Sequence, residues 1–428
     1  MTRLAAGQSL IWLASLVPVL FVAAACSRNT GAGSADPLAH ARELQRRAPL
    51  IDGHNDLPWK LREIAGRDLF RLDLNRPQHE LMTDIPRLRA GEVGGQFWSV
   101  YVPASLNGPE AIQATMEEID TVYRMSRLYP EAFQMAFSSS DIELSFAHGR
   151  IASLIGLEGG HSIHDSLAVL RMFYRMGARY MTLTHSQNVD WADSATDQQR
   201  AHGLTPFGKE VVREMNRLGM LVDLSHTSPE TMHQALDTSQ APVIFSHSGA
   251  RALCDHPRNV PDDVLRRLPA NGGIVMVTFV PEFVSNAVRE HANSREEEVA
   301  RLKAARGATD ESVRAELAAW DQSHPAPRAT LAQVADHIDH IRQVAGIDHI
   351  GLGSDFDGIT EVVEGLEDVS KYPALTAELV RRGYSDADIY KVLGSNLLRV
   401  FARAEAVARR LQAERPESEA RIEEKDKR

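Results

Sequence analysis

Cysteine is scarce in this sequence, with only two residues of this type, Cys26 and Cys254, among 428. Cys26 directly follows an apolar segment near the amino terminus, residues 10–25. If that segment is removed on export and Cys26 is modified, Cys254 has no intramolecular partner, so no internal disulfide is expected. The same scarcity argues against a structural metal site built from thiolates, which needs several cysteines close together.

Positive charge is also in short supply. The chain has 47 Lys and Arg residues against 58 Asp and Glu, and its formal net charge is −11. A nucleic-acid partner would require a basic stripe, so this class of function is disfavoured. A small zwitterionic or polar substrate is still compatible, because a local site can oppose the overall field. The hydrophobic content of 43% is ample for one large core or two ordinary ones.

A long hydrophobic run is missing as well. Residues 10–25 are too few for a comfortable membrane span, and Ser15 and Pro18 interrupt them. Because Arg3 precedes this segment, the start of the chain fits a secretory signal peptide. Cleavage after an Ala-x-Ala sequence is one alternative, and an uncleaved anchor helix is another.

The end of the segment, Val22-Ala23-Ala24-Ala25-Cys26, resembles a bacterial lipoprotein signal, in which the cysteine becomes the lipidated first residue. Ala23 departs from the leucine that is usual at its position. We therefore predict that residues 1–26 are a signal peptide with a lipoprotein-type cysteine. The protein is then expected on the periplasmic, extracytoplasmic side, held at the membrane by a lipid on Cys26.

The rest of the chain divides into three parts. Residues 27–37 are small and polar and predict a flexible tether. Residues 38–411 alternate apolar, β-rich runs with helical patterns, and eight such runs predict a (β/α)8 TIM-type barrel. The charged residues 412–428 predict a disordered tail. A helical stretch at 284–329 predicts an insertion between strands 7 and 8, which either covers part of the site or is a solvated excursion.

Ionisable residues stand at the carboxyl ends of six of these strands: His54, Asp56, Glu158, His185, His226, His247 and Asp355. In a barrel of this type the strand ends build the active site. Histidine and carboxylate ligands suit zinc or a similar ion. Five ligands are many for one catalytic zinc but about right for two ions that share a bridging carboxylate. Glu158, which two glycines follow, is the candidate bridge.

The motifs around these residues resemble the membrane (renal-type) dipeptidases, which belong to the metal-dependent amidohydrolase superfamily. They are Ile51-Asp52-Gly53-His54-Asn55-Asp56, Gly156-Leu157-Glu158-Gly159, Leu183-Thr184-His185-Ser186, Asp223-Leu224-Ser225-His226, Phe245-Ser246-His247-Ser248 and Gly353-Ser354-Asp355-Phe356-Asp357-Gly358. The resemblance runs from about residue 38 to about residue 405, with the motifs in the family's order. It implies a binuclear zinc dipeptidase and is compatible with a homodimer.

By matching position, His54, Asp56 and Glu158 would hold one zinc ion, and Glu158, His226 and His247 the other. His185 and Arg258, the latter in His256-Pro257-Arg258-Asn259, match substrate-contacting residues, and Asp355 matches an acid near the bridging water. Departures from the animal enzymes are the absence of disulfides and an anchor signal at the amino end instead of the carboxyl end.

The expected chemistry is hydrolysis of a dipeptide by a water or hydroxide that bridges the metals. Two ions lower the pKa of that water from about 16 toward about 7, and one ion polarises the carbonyl. Asp355 is expected to act as general base and then general acid. His185 would hydrogen-bond the developing oxyanion, and the planar fork of Arg258 suits a terminal carboxylate.

Two other classes of function stay open at this stage. An amidohydrolase acting on a cyclic amide or a deaminase substrate would keep the barrel. It would usually carry His-x-His in the first strand, where this chain has His54 and Asp56. A lipoprotein that uses the barrel for binding or scaffolding would be expected to have lost a ligand. Several of the polar residues also have a purely structural interpretation. Arg258 could be a surface ion-pair residue, Asp357 a turn residue and His256 a loop residue. His161 and His164 are expected not to be metal ligands.

Overall fold

The computed structural model describes residues 36–305, 307 and 309–427. Its nine strands are all paired in parallel: β1 (Leu50–Asn55), β2 (Val93–Tyr101), β3 (Phe133–Met135), β4 (Ile151–Glu158), β5 (Ala178–Thr182), β6 (Leu221–Asp223), β7 (Ile244–Ser248), β8 (Ile274–Val277) and β9 (Ile350–Leu352). Most of these segments are apolar runs buried along their whole length, as expected for strands covered on both faces.

Eight of the strands close into a barrel. β1 pairs with both β2 and β9, and β2 pairs with β4 from Gly95–Ala152 to Tyr101–Glu158. The ninth strand, β3, pairs only with the first residues of β4, while β5 pairs with the later ones. The predicted (β/α)8 TIM-type barrel is confirmed, and β3 is an addition that the sequence reading missed.

Helices connect and cover the strands. They are α1 (Pro37–Arg47), α2 (Leu57–Ala65), α3 (Ile85–Ala90), α4 (Gly108–Leu128), α5 (Ser139–Ala147), α6 (Leu167–Arg175), α7 (Pro206–Leu218), α8 (Pro229–Thr238), α9 (Asp262–Leu265), α10 (Leu268–Asn271), α11 (Pro281–Val284), α12 (Asn286–Ala304), α13 (Asp310–Ser323), α14 (Leu331–Val344), α15 (Tyr372–Arg381), α16 (Asp386–Tyr390), α17 (Asn396–Glu414) and α18 (Ile422–Lys425).

The helix starts follow ordinary capping chemistry. Thr205 and Ser228 accept hydrogen bonds from the backbone of α7 and α8, each of which has proline in its first turn. Thr330 and Gln333 form a reciprocal capping box at α14. These caps place the helices directly after the loops that carry polar residues. No helix among the described residues is both long and apolar enough to cross a membrane.

The two faces of the barrel wall have separate cores. The larger apolar cluster lies between the strands and the surrounding helices. The smaller one contains Ile51, Phe97, Tyr180 and Met276 from the strands, together with Leu397, Val400 and Phe401 of α17. It also includes Leu221, Ile244 and Ile274, the first residues of their strands, so α17 packs at the amino ends of the barrel strands. The carboxyl ends are left for polar residues.

The long connection between β8 and β9 contains the predicted helical insertion as α11, α12 and α13, which is confirmed. The predicted tether differs at its end, because Asp36 caps α1 and Pro37 begins that helix. The predicted signal peptide, Cys26 and the tether up to residue 35 lie outside the described residues.

The prediction of a disordered tail at residues 412–428 is wrong for the described part. Helix α17 extends to Glu414, and the following residues pack along α6 and α7. Ser418 donates its backbone N–H to Glu214 and accepts from Arg171, and the Phe207 N–H donates to Asp426. Ile422 is only 7% exposed. A charged composition suggested disorder, but specific polar partners on the two helices hold the segment.

Candidate active site

Five of the predicted site residues meet at the carboxyl ends of the strands. His54 is in β1 and Asp56 follows it, Glu158 ends β4, His226 follows β6, and His247 is in β7. All five are buried, with exposed fractions of 9% or less. Parallel strands bring their carboxyl ends to one rim, so residues far apart in the chain become neighbours there.

The carboxylate of Glu158 lies at the centre of this group. Its Oε2 is 3.4 Å from His54 Nε2 and accepts a hydrogen bond of 2.9 Å from the Ser99 hydroxyl. Its Oε1 is 3.0 Å from His226 Nε2 and 3.7 Å from His247 Nε2. The two oxygens of one carboxylate therefore face different histidines, which is the geometry that a bridging ligand needs.

Among the described residues, three overlapping sets each bring three possible ligand atoms within 4.8 Å of one another. The sets are His54, Glu158 and His247; Glu158, His185 and His226; and His54, Asp56 and Asp355. All seven residues predicted at strand ends occur in these sets. The sets differ from the predicted division into two ligand groups, because His185 and Asp355 also come within reach. How the residues divide between ions stays a prediction.

The chemistry of the cluster fits metal cations. His54 Nε2 and Asp56 Oδ1 are buried and have no hydrogen-bond partner among the described residues. His226 Nε2 and His247 Nε2 lie 3.0 Å apart, a distance at which the two nitrogens cannot both carry a proton. The buried carboxylates of Asp56 and Glu158 share this space with the half-buried carboxylate of Asp355, whose side chain is 16% exposed. Burying so much negative charge without a cation would be costly.

The protonation states also suit ligands. Burial, with the positive charge of Arg258 adding to it, lowers the pKa of His226 well below its ordinary value, and burial does the same for His247. Burial raises the pKa of Glu158, but the nearby His54 and His226 outweigh it and bring the pKa well below its ordinary value. Neutral imidazoles and an ionised carboxylate are the forms that bind metal.

His54 behaves differently from the other two histidines. Burial lowers its pKa, but the neighbouring Tyr180 and the carboxylates of Glu158 and Asp56 outweigh burial and raise the pKa well above its ordinary value. Its Nδ1 is 2.9 Å from the Tyr180 hydroxyl, so Nε2 is the nitrogen that faces the carboxylates. A metal cation at that nitrogen would have to compete with a proton.

Buried aspartates brace two of the strand ends. Asp223 accepts hydrogen bonds from the Ser246 hydroxyl at 2.6 Å, the Ser246 N–H at 2.9 Å and the Ser225 N–H at 3.1 Å. The Ser246 oxygen is in turn 2.9 Å from His247 Nδ1. Since this hydroxyl donates to Asp223, it accepts from Nδ1–H, which leaves Nε2 of His247 as the free lone pair. Supports of this kind fix the orientation of metal-ligating histidines.

Asp52 has the matching role beside β1 and β9. It accepts from the Ser354 N–H at 2.8 Å, the Ser354 hydroxyl at 2.7 Å and the Tyr372 hydroxyl at 2.6 Å. These bonds join the middle of β1 to the segment after β9. They hold Asp355, the next residue, beside His54.

Asp355 lies in the left-handed backbone region, with φ of 72°, and its Oδ1 is 3.9 Å from His54 Nε2. Such a conformation in a non-glycine residue costs about 1–3 kcal/mol and is common at functional sites. Burial and the negative charge of Asp56 raise the pKa of Asp355 well above its ordinary value. A Cβ at Gly358 would lie 2.3 Å from a carboxylate oxygen of Asp56 and 2.7 Å from one of Asp355, so a side chain at this position would displace the two carboxylates.

His185 and Arg258 border the same cluster. His185 Nε2 is 3.6 Å from Glu158 Oε1, and burial lowers the pKa of this histidine. Arg258 lies in the loop after β7 and is 3% exposed, which rules out the alternative of a surface ion-pair residue. No carboxylate of the described chain lies within 4.0 Å of its guanidinium. Burial lowers the pKa of Arg258 to about 10, so the group is a charged, unpaired cation near pH 7.

A pocket of about 360 Å³ opens over these residues. Asp56, Glu158, His185, His226, Arg258 and Asp355 all line it, together with Trp59, Tyr101 and Phe283. Its volume is in the range of small-molecule sites. A larger cavity of about 1000 Å³ is lined mainly by α12 and by the segment that follows α13, and none of the predicted site residues lines it.

The sequence reading missed several residues of this site. Tyr101 ends β2 and lines the pocket, 5.0 Å from the His185 ring between centroids. It could have been found as the polar end of the one early strand without an assigned site residue. The bracing residues Asp52, Asp223 and Tyr372 give no such local signal.

Two residues that the sequence analysis interprets as structural have structural contacts. His161 contacts the Val102 carbonyl, and Asp357 accepts a hydrogen bond from the Met82 N–H.

Comparison with known proteins identifies relatives across most of the chain. Residues 38–415 match the sequence model of a family described as membrane dipeptidase, peptidase family M19. An uncharacterized dipeptidase of Schizosaccharomyces pombe is 45% identical over 371 residues, covering 83% of this chain and 81% of that protein. Dipeptidase 3 of Rattus norvegicus is 43% identical over 373 residues, 86% of this chain and 67% of that protein.

Solved structures show the same likeness. The probable dipeptidase PvdM from Pseudomonas aeruginosa has a TM-score of 0.74 to this chain at 26% identity. The match covers 87% of this chain and 99% of the other.

Proposed function

Because the chain belongs to the membrane dipeptidase family, peptidase family M19, and is therefore a hydrolase of peptide bonds, we propose that it is a zinc-dependent dipeptidase with two ions per chain. The observation that carries the proposal is the Glu158 carboxylate, whose two oxygens face His54 on one side and His226 and His247 on the other. Four other buried residues that can bind metal, His54, Asp56, His226 and His247, lie at the same strand ends as Glu158, which supports a bridged pair of ions.

In this proposal His54, Asp56 and Glu158 would hold one ion, and Glu158, His226 and His247 would hold the other. Zinc in such a site lowers the pKa of water and polarises a carbonyl oxygen. The buried hydrogen bonds of Ser246 and Tyr180 support the ligand role of His247 and His54, since each leaves one ring nitrogen facing the cluster. The serine and tyrosine keep the imidazoles from turning.

Asp355 is proposed as the general base and then the general acid of the reaction. Its carboxylate lines the pocket beside Asp56 and His54, within reach of a water at the cluster. It can accept the proton of that water and donate it to the leaving amine. His185, on the opposite side of Glu158, is proposed to hydrogen-bond the oxygen that becomes negative as the carbonyl is attacked.

Arg258 is proposed to bind the terminal carboxylate of the substrate. A buried guanidinium without a carboxylate partner is an unusual arrangement, because burying an unpaired charge is unfavourable. A substrate carboxylate would supply the missing partner through the two parallel hydrogen bonds that arginine favours. The contact would select dipeptides over longer peptides, whose terminus would lie farther from the cleaved bond.

The test is elemental analysis of the purified protein together with a panel of substrates. We expect about two zinc ions per chain and hydrolysis of free dipeptides, but slow or no hydrolysis of tripeptides and dipeptide amides. Removal of the ions by chelation should abolish hydrolysis, and added zinc should restore it. Equal rates on dipeptides and their amides would contradict the dipeptidase assignment, and full activity with one ion would contradict the bridged pair.

We also propose that Cys26 carries a lipid that holds the enzyme at a membrane on the extracytoplasmic side. The support is the apolar segment ending in Val22-Ala23-Ala24-Ala25-Cys26. Cys26→Ser should release the protein from the membrane fraction or block its processing. An unchanged membrane fraction would favour an uncleaved helix. The homodimer stays a prediction, which the mass of the purified protein in solution would test.

A further inference from the structure

The guanidinium of Arg258 has few polar contacts that set its direction. Nη1 is 3.5 Å from the Ser248 hydroxyl and Nη2 is 3.4 Å from the His247 carbonyl, and both are long for hydrogen bonds. No ion pair to a described residue orients it further. Its position must therefore depend largely on packing.

An aromatic ring supplies that packing. The Phe283 ring, in α11, has its centre 5.2 Å from the guanidinium carbon of Arg258. The same ring stacks on His256 at 4.3 Å between centroids, with an angle of 29° between the planes. His256 in turn accepts a hydrogen bond of 3.2 Å from the backbone N–H of Arg258. Phe283, His256 and Arg258 thus form one packed group beside the pocket.

Phe283 is itself fixed to the loop that carries Arg258. The fully buried Asn259 side chain donates to the Phe283 carbonyl at 2.7 Å and to the Cys254 carbonyl at 2.8 Å, and it accepts from the Gly249 N–H at 2.8 Å. His337 contacts the Val284 carbonyl at 3.1 Å and accepts from the Ala250 N–H at 2.9 Å. Two buried side chains therefore tie α11 to the same loop.

We propose that Phe283 is a positioning residue for Arg258, and that the start of the β8–β9 connection thereby sets the affinity for the terminal carboxylate of the substrate. The inference rests on the proposed function of Arg258. A cation over an aromatic face is held by the ring's electrostatic field, which no aliphatic side chain provides. Since Phe283 and Arg258 both line the pocket, the ring holds the guanidinium where a ligand can reach it.

The experiment compares Phe283→Leu and Phe283→Met with Phe283→Tyr in the zinc-loaded full chain. We expect the two non-aromatic variants to raise KM for a free dipeptide about threefold to tenfold, the range of one cation–π contact, with kcat nearly unchanged. Phe283→Tyr should keep the wild-type KM, because it keeps the aromatic face. The residual hydrolysis of the corresponding dipeptide amide should not change, and zinc content should stay the same.

The matched control is Trp320→Leu, which removes an aromatic ring from α13 of the same connection. Trp320 stacks on His324 at 4.3 Å between ring centroids and does not line the pocket. The Trp320→Leu variant should therefore have the same KM for free dipeptides as the wild type. In an Arg258→Ala background, Phe283→Leu should add no further change in KM, because the residue that it positions is absent.

Three results would overturn the inference. One is an unchanged KM in both non-aromatic variants. Another is an equal change in KM for the free dipeptide and its amide, which would mean that Phe283 lines the pocket without positioning Arg258. The third is an undiminished effect of Phe283→Leu in the Arg258→Ala background. A wild type that hydrolyses no dipeptide would overturn the proposed function as well, which separates the two failures.

Discussion

The carboxyl ends of the barrel strands and the helices α12 and α13 are both rich in charge, but they are held in different ways. At the strand ends, buried side chains have partners on neighbouring strands, as Asp223 has with Ser246 and Asp52 has with Ser354. In α12 only Leu302 is buried, and the fully described α13 has no buried residue. Arg295 and Asp321 pair these two helices mainly with each other.

The difference shows which charges can do chemistry. A charge in the strand-end cluster is desolvated and fixed, so its interactions with neighbouring groups are strong. If the charge is removed, water cannot replace those interactions, because the cluster is buried. A charge on α12 or α13 is hydrated whether or not it is paired. Four substitutions test this comparison, from the strand-end cluster outward to the insertion.

The largest effect is expected from Glu158→Gln. The amide keeps the size of the side chain but offers only one oxygen, so it cannot bind two ions. We expect loss of activity and of at least one zinc ion, with a melting temperature close to that of the wild type. Elemental analysis, dipeptide hydrolysis and thermal unfolding would measure zinc content, activity and melting temperature.

Glu405→Gln is the control, because Glu405 accepts a hydrogen bond from the Ser139 N–H away from the site. Full activity of Glu158→Gln would show that no bridging carboxylate is needed.

Asp355→Asn should have the next largest effect. An asparagine can fill the same space but cannot accept and return a proton, so turnover should fall by about 10²–10⁴ while both ions remain bound. Turnover and zinc content measured on the same sample would check this. Because Asp355 groups with His54 and Asp56, the outcome is informative in both directions. Loss of an ion would make Asp355 a ligand and leave the proton-transfer role without a residue.

Arg258→Ala is expected to weaken substrate binding without affecting the metals. Breaking a buried, charge-assisted contact costs about 2–5 kcal/mol, so KM for free dipeptides should rise by at least tens-fold. Amidation of the substrate should impair the wild type to a similar degree and barely affect the variant. Steady-state kinetics with both substrates would measure this. If the variant discriminates against the amide as strongly as the wild type, another residue recognises the terminus.

The sequence was informative about the strand ends because the rule that operates there is local. An apolar run predicts a strand, the residue that follows it lies at the rim, and parallel strands share that rim. His54, Glu158 and His247 follow from this rule. Arg258 does not, because it lies in a loop after β7; only the resemblance to a family pointed to it. Its burial and lack of an ion pair became visible in the structure.

Other features depend on contacts that no local pattern encodes. The bond between Tyr372 and Asp52 joins residues 320 positions apart. The three residues of β3 are too few for a periodic signal. The charged composition of the tail predicts disorder, but Ser418 and Asp426 have partners whose positions are set by the packing of α6 and α7.

The smallest effect is expected from Arg295→Ala in the insertion. Arg295 makes two parallel hydrogen bonds to Asp321, of 2.9 and 3.1 Å. In α7, Arg217 makes the same kind of pair with Glu214, at 2.9 and 2.8 Å. The geometry is alike, but the side chains are 44% and 41% exposed in the first pair and 10% and 1% exposed in the second.

Exposure should therefore decide the outcome of the two substitutions. Water and salt screen the pair in the insertion, so Arg295→Ala should change the melting temperature by about 1 °C or less and leave kcat/KM unchanged. Arg217→Ala leaves the Glu214 carboxylate buried without its closest partner, and should lower the melting temperature by about 4 °C or more. Thermal unfolding at low and at high salt would compare them directly. Similar losses in both variants would mean that α12 and α13 are held to the barrel as firmly as α7 is. The contrast between a fixed strand-end cluster and a hydrated insertion would then have to be abandoned.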